Sequence, residues 1–192
     1  METPCHWRLK MNIHFKSAFL CLVLILFTIV SCNTGTKPPA DSVSLREEHN
    51  KSIVLQYFQE ILDRKQYNQM PDVFTPSVVM HRPDGTLTYI GVIQTAFKKA
   101  LSLHSIETTI HEMIASGDYV SVRLSHKMTY STKEALLQSR LGRFDVRGKT
   151  VEWEAMAIFR FENGKIAEEW VSNDELGQLM QIGTLELSVE GP

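Results

Sequence analysis

The chain has 192 residues, of which 43% are hydrophobic and 22% are charged, and its formal net charge is -2. This length suits one globular domain with a short additional segment, and the composition is ordinary for a globular protein. The absence of a concentrated run of basic residues excludes nucleic acid as the main partner. All three cysteines, Cys5, Cys21 and Cys32, lie in the N-terminal segment, so the downstream domain has no disulfide, thiolate metal site or redox pair.

The N-terminal segment has the features of a secretory signal peptide. Residues 17–31 form an uncharged apolar run that follows Lys16, and this run is shorter than the roughly 20 apolar residues that span a membrane. The run ends in the sequence IVSC at residues 29–32, which resembles the bacterial lipobox. In that pattern the cysteine is lipidated and becomes the new N-terminus.

We therefore predict a lipoprotein signal peptide over residues 1–31 and a lipid anchor on Cys32. The predicted location is the bacterial cell envelope, where the lipid anchor holds the protein at a membrane on its periplasmic or surface side. A plain N-terminal membrane anchor is the alternative. Residues 32–44 are rich in Pro, Ser, Thr and Gly and are predicted to form a flexible tether, and residues 184–192 are predicted to form a loosely ordered tail.

The first half of the domain is predicted to be mainly helical. Ser44 and Glu47 have the spacing of a capping box, and apolar residues recur at helical spacing over residues 53–62. A second short helix is predicted over residues 67–74, and a third amphipathic helix over residues 92–101. Between them, a short β-rich segment ends at His81 and leads into the turn Pro83-Asp84-Gly85.

The second half of the domain has the period of two that is typical of β-strands. The predicted strands cover residues 106–110, 120–124, 149–161 and 165–171. Asn163-Gly164 is a strong hairpin signal between the last two, and residues 174–182 are predicted to form a closing helix. Helices followed by long antiparallel strands indicate an α+β domain with helices on one side of a sheet.

Several short fragments occur in an order that is typical of one family. They are Asn50-Lys51, Phe74-Thr75-Pro76, Gly117-Asp118-Tyr119-Val120, Leu141-Gly142, GKTVEW at 148–153, IFRF at 158–161, NGKIAEEW at 163–170 and Asp174. Over residues 45–183 the chain resembles the SnoaL-like (polyketide cyclase) and ester cyclase proteins of the nuclear transport factor 2-like superfamily. The resemblance implies a cone-like, curved and mostly antiparallel sheet with about three helices packed in its concavity.

The resemblance also implies a chemistry that needs no cofactor. In SnoaL-like cyclases a pocket acid–base, typically an aspartate, moves a proton next to a carbonyl while polar groups hold the enolate oxygen. An apolar cleft favours such a base because desolvation raises the pKa of a carboxylate. Asp174 matches the family's aspartate and is the first predicted base, with a helix cap as the alternative. Glu169 is the second, unless its strand register points it to solvent.

The other candidate residues are less specific. His81 matches a histidine that is common in the family and is predicted to contact the enolate or a ligand carbonyl, with a structural role as the alternative. The predicted pocket residues, each with ordinary core packing as its alternative, are Tyr57, His126, Tyr130, Trp153 and Trp170. No metal site is predicted, because HxH and HExxH spacings are absent.

The chain departs from the family pattern at two polar positions. Tyr130 stands where the family often has histidine, and Ala157 replaces a polar residue that faces the pocket. Two functions therefore stay open. One is an exported, cofactor-independent cyclase, isomerase or lyase that acts by proton transfer on a small carbonyl compound. The other is a non-catalytic module on the cell envelope, which binds a small apolar or carbonyl-containing ligand or forms a homodimer.

Overall fold

The structure is a computed structural model, and it describes residues 40–184. The predicted signal peptide, the lipidation site Cys32 and residues 185–192 of the predicted tail lie outside the described residues. Within residues 40–184, no helix is both long enough and apolar enough to cross a membrane.

The described residues include four α-helices. They are α1 (Ala40–Gln56), α2 (Met70–Val73), α3 (Ile90–Leu101) and α4 (Glu175–Gln181). A π-helix, Tyr57–Asp63, continues α1, and a short 3-10 helix, Tyr67–Gln69, precedes α2. The strands are β1 (Phe74–Arg82), β2 (Gly85–Thr88), β3 (Ser105–Ser116), β4 (Tyr119–Thr129), β5 (Leu136–Ser139), β6 (Gly142–Asp145), β7 (Thr150–Glu162) and β8 (Lys165–Asn173).

Six strands form one sheet in the order β2-β1-β8-β7-β4-β3. Strands β1 and β8 are parallel, and the other neighbouring pairs are antiparallel. Strands β5 and β6 form a separate hairpin between β4 and β7, where no strand was predicted. The predicted α+β class with a curved, mostly antiparallel sheet is confirmed.

The core lies between the π-helix and the inner face of the long strands. Tyr57 and Phe58 are almost fully buried, and both rings contact Phe159 of β7 with centroids about 6 Å apart. The inner face of β4 follows the predicted alternation, because Val120, Val122 and Leu124 are buried. Burial of each such large apolar side chain contributes about 1.5–3 kcal/mol, which fixes the strand register.

Local turn chemistry fixes the hairpin that carries β8. Asn163 and Gly164 both have positive φ, 51° and 74°, as a two-residue turn of this kind requires. The hairpin predicted from Asn163-Gly164 is therefore confirmed, and it pairs β7 with β8.

Two predicted boundaries are wrong. The first helix begins at Ala40, so Ser44 lies inside α1 instead of capping it, and residues 40–44 of the predicted tether are helical. No glycine or proline interrupts this segment, and Asp41 in the first turn favours a helix N-terminus there. Phe74, which was predicted to end the second helix, has extended backbone and begins β1.

Candidate active site

A cavity of about 430 Å³ opens between the inner face of the sheet and the helices. Its walls are mainly apolar, and Phe97 of α3, Leu124 of β4 and Leu179 of α4 are typical lining residues. Ala155 and Ala157 of β7 also line it, and their small side chains leave space that larger residues would fill. This volume and lining suit a small organic ligand.

Three polar side chains meet in this cavity. The guanidinium of Arg82 donates from Nη2 to the Tyr57 hydroxyl at 3.1 Å and to Oε2 of Glu169 at 3.3 Å. The Tyr57 hydroxyl lies 3.4 Å from Oε1 of Glu169. Glu169 is 1% exposed, so its carboxylate sits among protein groups and not in water. The three residues form a cluster of one carboxyl group, one guanidinium and one phenol.

The sheet topology explains why these residues meet. Strand β1 runs parallel to β8, with Met80 opposite Glu169 and His81 opposite Trp170. Side chains alternate between the two faces of a strand, so Arg82, two positions after buried Met80, points to the same inner face. Glu169 also points to that face. Tyr57 reaches the same point from the π-helix.

Burial decides the protonation of this cluster. Desolvation raises the pKa of Glu169, and the charge of Arg82 and the hydrogen bond from Tyr57 oppose that shift. Desolvation, followed by the negative charge of Glu169, also raises the pKa of Tyr57 well above its ordinary range. Tyr57 is therefore a neutral phenol that can donate, and burial increases the basicity of the Glu169 carboxyl group.

A second polar group lies on the β3–β4 side of the cavity. His126 lines the cavity between Phe58 and Trp153, with ring centroids 5.9 Å and 5.3 Å away. Its Nδ1 is 3.0 Å from the hydroxyl of Thr108, which in turn donates to Oδ1 of Asp63 at 2.8 Å. Desolvation, assisted by the charge of Arg82, lowers the pKa of His126 to about 4.

Two further aromatic side chains offer polar atoms to the cavity. Tyr130 lines it, and burial raises the pKa of its phenol to about 12, so the hydroxyl is a neutral donor. Trp153 also lines it, and its buried Nε1 has no hydrogen-bond partner within residues 40–184. The Nε atom of Arg82 is also buried and also has no hydrogen-bond partner within residues 40–184. Buried donors normally have partners, so these atoms are suited to a ligand that accepts hydrogen bonds.

Three of the predicted site residues, Asp174, His81 and Trp170, are absent from the described cavity lining. Asp174 is the N-cap of α4, where Oδ1 accepts from the Gly177 amide at 2.9 Å, and it is absent from the described lining of the cavity. His81 lies on the outer face of the sheet, where it contacts Glu168 at 2.9 Å and stacks on Trp170. The structure therefore gathers Glu169, Tyr57, His126, Tyr130 and Trp153, and it does not bring Asp174, His81 or Trp170 to them.

The sequence predictions missed Arg82 and the pair formed by Asp63 and Thr108. The strand period contained a signal for Arg82, since it has the parity of buried Val78 and Met80. Nothing local links Asp63 to Thr108, because they are 45 positions apart in the chain. Among the described residues, no group of three or more His, Cys, Asp or Glu side chains is arranged to hold a metal ion.

The family model for SnoaL-like polyketide cyclases matches residues 52–182 of this chain. The chain therefore belongs to the SnoaL-like polyketide cyclase family. No curated protein matches it.

Solved structures share the fold at low sequence identity. AclR from Streptomyces galilaeus matches with a TM-score of 0.59 and 17% identity, over 75% of this chain and 91% of that one. A protein assigned to the SnoaL-like polyketide cyclases from Jannaschia sp. CCS1 matches with a TM-score of 0.60 and 16% identity, over 73% and 95%. An M. tuberculosis LEH-like epoxide hydrolase matches with a TM-score of 0.57 and 12% identity, over 71% and 90%.

Proposed function

We propose that this protein is a cofactor-independent cyclase, isomerase or lyase that moves a proton at the carbon next to a carbonyl group. The observation that carries this proposal is the carboxylate of Glu169, which is 1% exposed and held in a mainly apolar cavity beside Tyr57 and Arg82. Family membership supports the same reaction class.

In the proposed reaction, Glu169 is the base. Its carboxylate takes the proton from the α-carbon, and the C–H electron pair moves into the enolate. The raised pKa of Glu169 makes the carboxylate a better proton acceptor than an exposed glutamate. The same carboxyl group then returns the proton to the product.

Arg82 and Tyr57 are the proposed donors to the enolate oxygen. Arg82 and Tyr57 bond to each other and to Glu169 in this structure. The single hydrogen of Tyr57 is donated to Glu169, so in the proposed reaction it turns to the enolate oxygen after Glu169 has taken the proton. Fixed donors lower the barrier most when they face the position at which negative charge develops. The Nε atom of Arg82, which has no partner among the described residues, adds a second donor on the same side chain.

Asp174 is the alternative base, because it stands at the position of the family's aspartate. We prefer Glu169 because Asp174 already accepts the Gly177 amide as the N-cap of α4. A mutation that removes charge and keeps the cap separates the two residues.

A non-catalytic ligand-binding module is the second candidate function. The observation that favours it is that both oxygens of Glu169 already have protein partners, Tyr57 and Arg82. Ala157 and Tyr130 also replace polar groups of the family pattern. In this case the cavity would bind a small apolar or carbonyl-containing ligand without turnover.

We also propose that the protein acts in the bacterial cell envelope as a lipoprotein. The support is the apolar run at residues 17–31 and the lipobox-like sequence that ends at Cys32. Attachment through Cys32 would leave the domain outside the cytoplasm, so its ligands would be extracytoplasmic.

The experiment for the proposed function is hydrogen–deuterium exchange at the α-carbon. The protein is incubated in D2O with a panel of small aromatic methyl ketones, and NMR follows the loss of the α-proton signal. Exchange above the buffer rate supports the enzyme. If no ketone in the panel exchanges its α-protons but one of them raises the melting temperature of the protein, the ligand-binding module becomes the preferred function.

A further inference from the structure

A chain of hydrogen bonds runs from the half-buried carboxylate of Asp63 through Thr108 to His126, which lines the cavity. The carboxylate of Asp63 accepts twice from Thr108, from its backbone amide at 3.1 Å and from its hydroxyl at 2.8 Å. The hydroxyl oxygen of Thr108 is also 3.0 Å from Nδ1 of His126. The pairing of Thr108 with His126 across β3 and β4 holds these groups together.

This series of hydrogen bonds fixes the tautomer of the His126 imidazole. The Thr108 hydroxyl has one hydrogen, and that hydrogen is donated to the Asp63 carboxylate. Its oxygen can therefore only accept from His126, which requires the hydrogen of the neutral ring to be on Nδ1. Nε2 then has a free lone pair, and no protein partner for Nε2 occurs among residues 40–184.

We propose that His126 recognises a hydroxyl group of the ligand, which donates a hydrogen bond to Nε2. Asp63 and Thr108 are positioning residues for it. The inference rests on the proposed function for the identity of the cavity as the ligand site, and it adds that the ligand is a hydroxyl-bearing carbonyl compound.

The proposed contact is a hydrogen bond and not a proton transfer, because burial and the charge of Arg82 lower the pKa of His126 to about 4 and make the ring a poor base. The neutral ring keeps Nδ1–H on Thr108 and offers the lone pair of Nε2 to the ligand hydroxyl.

The surroundings of His126 support a hydroxyl-bearing ligand. Trp153 is its cross-strand neighbour, and the unpartnered Nε1–H of Trp153 is a donor beside the acceptor on His126. An apolar ligand would leave both groups without a partner, which is costly in a buried site. The lowered pKa of His126 keeps the ring neutral near pH 7, as an acceptor must be.

The first test needs no mutation. Long-range proton–nitrogen NMR of the full-length protein in detergent reports which ring nitrogen of His126 carries the hydrogen. We expect the Nδ1–H form at pH 7. A predominant Nε2–H form would overturn the proposal, because His126 would then be a donor to the cavity.

The second test compares two probes, para-hydroxyacetophenone and its methyl ether, by calorimetric titration. We expect the wild type to bind the hydroxyl probe about tenfold more tightly, since the ether lacks the hydrogen that Nε2 accepts. Thr108→Val should reduce this preference to less than about twofold and shift the tautomer, and Thr108→Ser should restore both. His111→Gln is the matched control, because His111 also contacts a hydroxyl, that of Ser125, but is absent from the described cavity lining.

The outcomes separate this inference from the proposed function. An equal loss of affinity for both probes in Thr108→Val would mean a purely structural role and would overturn the inference. A wild type without hydroxyl preference would also overturn it, even if ketone exchange that depends on Glu169 were present. Conversely, the Nδ1–H tautomer and a preference for the hydroxyl probe, without any α-proton exchange in the ketones, would support the role of His126 and contradict the proposed function.

Discussion

Glu168 and Glu169 are consecutive residues of β8, and their carboxylates lie on opposite faces of the sheet. Glu168 contacts His81 at 2.9 Å and Arg160 at 3.0 Å on the outer face. Glu169 faces the cavity and accepts from Arg82. The outer carboxylate has a lowered pKa, chiefly through its hydrogen bond with His81, whereas burial raises the pKa of the inner one. One strand thus supplies two glutamates of opposite character.

Two tyrosine variants test the role of the cavity phenol. We expect Tyr57→Phe to reduce ketone exchange by about 100-fold, because it removes one of two donors to the enolate oxygen. Tyr67→Phe is the matched control, since the Tyr67 hydroxyl is buried with no hydrogen-bond partner among residues 40–184 and Tyr67 is absent from the described cavity lining. Loss of the Tyr67 hydroxyl should leave the rate of ketone exchange unchanged. Equal activity of Tyr57→Phe and wild type would remove Tyr57 from the mechanism.

The lowered pKa of His126 makes a prediction about stability and pH. In the unfolded chain His126 takes up a proton near its ordinary pKa of 6.5, but in the folded protein only near pH 4. Between these values the unfolded state binds more protons, so stability falls as the pH drops from 6.5 to 4. The loss attributable to His126 is about 3 kcal/mol.

The measurement is the free energy of unfolding of wild type and His126→Gln at several pH values. The variant cannot titrate at this position, so it should lose less stability than the wild type over that interval. Parallel pH profiles of the two proteins would contradict a buried neutral His126.

Asp174 variants separate capping from catalysis. Asp174→Ala should cost about 1 kcal/mol of stability, because the Gly177 amide loses its acceptor. Asp174→Asn should be nearly neutral for stability, since an amide oxygen caps as well. Melting temperature and ketone exchange are measured for both. Asp174→Asn with wild-type stability and no exchange would make Asp174 the base instead of Glu169.

The sequence alone left two roles open for Asp174, a pocket base and a helix N-cap. Aspartate is suited both to a helix N-cap and to a pocket base, and the sequence around it is compatible with both. Only the position of the Gly177 amide, 2.9 Å away, identifies the cap. The periodic strands and the Asn163-Gly164 turn were predictable because their signals are local.

The inner cluster was harder to predict because it depends on contacts between distant segments. Glu169 follows Glu168 directly, and the sequence does not indicate which of them faces inward. The parallel pairing of β1 with β8 decides this, and it joins residues 87 positions apart. The same pairing brings Arg82 to Glu169, a contact that no local pattern could predict.

The lipoprotein proposal has its own test. Cys32→Ala should abolish lipidation and release the protein from membranes, because the modified cysteine is the proposed anchor. Fractionation and mass spectrometry of the mature N-terminus provide the readout. Retention of the variant at the membrane, together with an unmodified wild-type Cys32, would contradict the proposal and favour a plain N-terminal anchor.

The most direct test of the account is ketone exchange by Glu169→Gln beside its neighbour variant Glu168→Gln. Glutamine keeps the shape of each side chain and removes its basicity. The melting temperature of both variants and their binding of para-methoxyacetophenone verify that the fold and cavity are retained. We predict that Glu169→Gln loses at least about 100-fold in exchange rate and that Glu168→Gln matches the wild type. Full exchange activity in a folded Glu169→Gln variant would contradict the claim that Glu169 is the base.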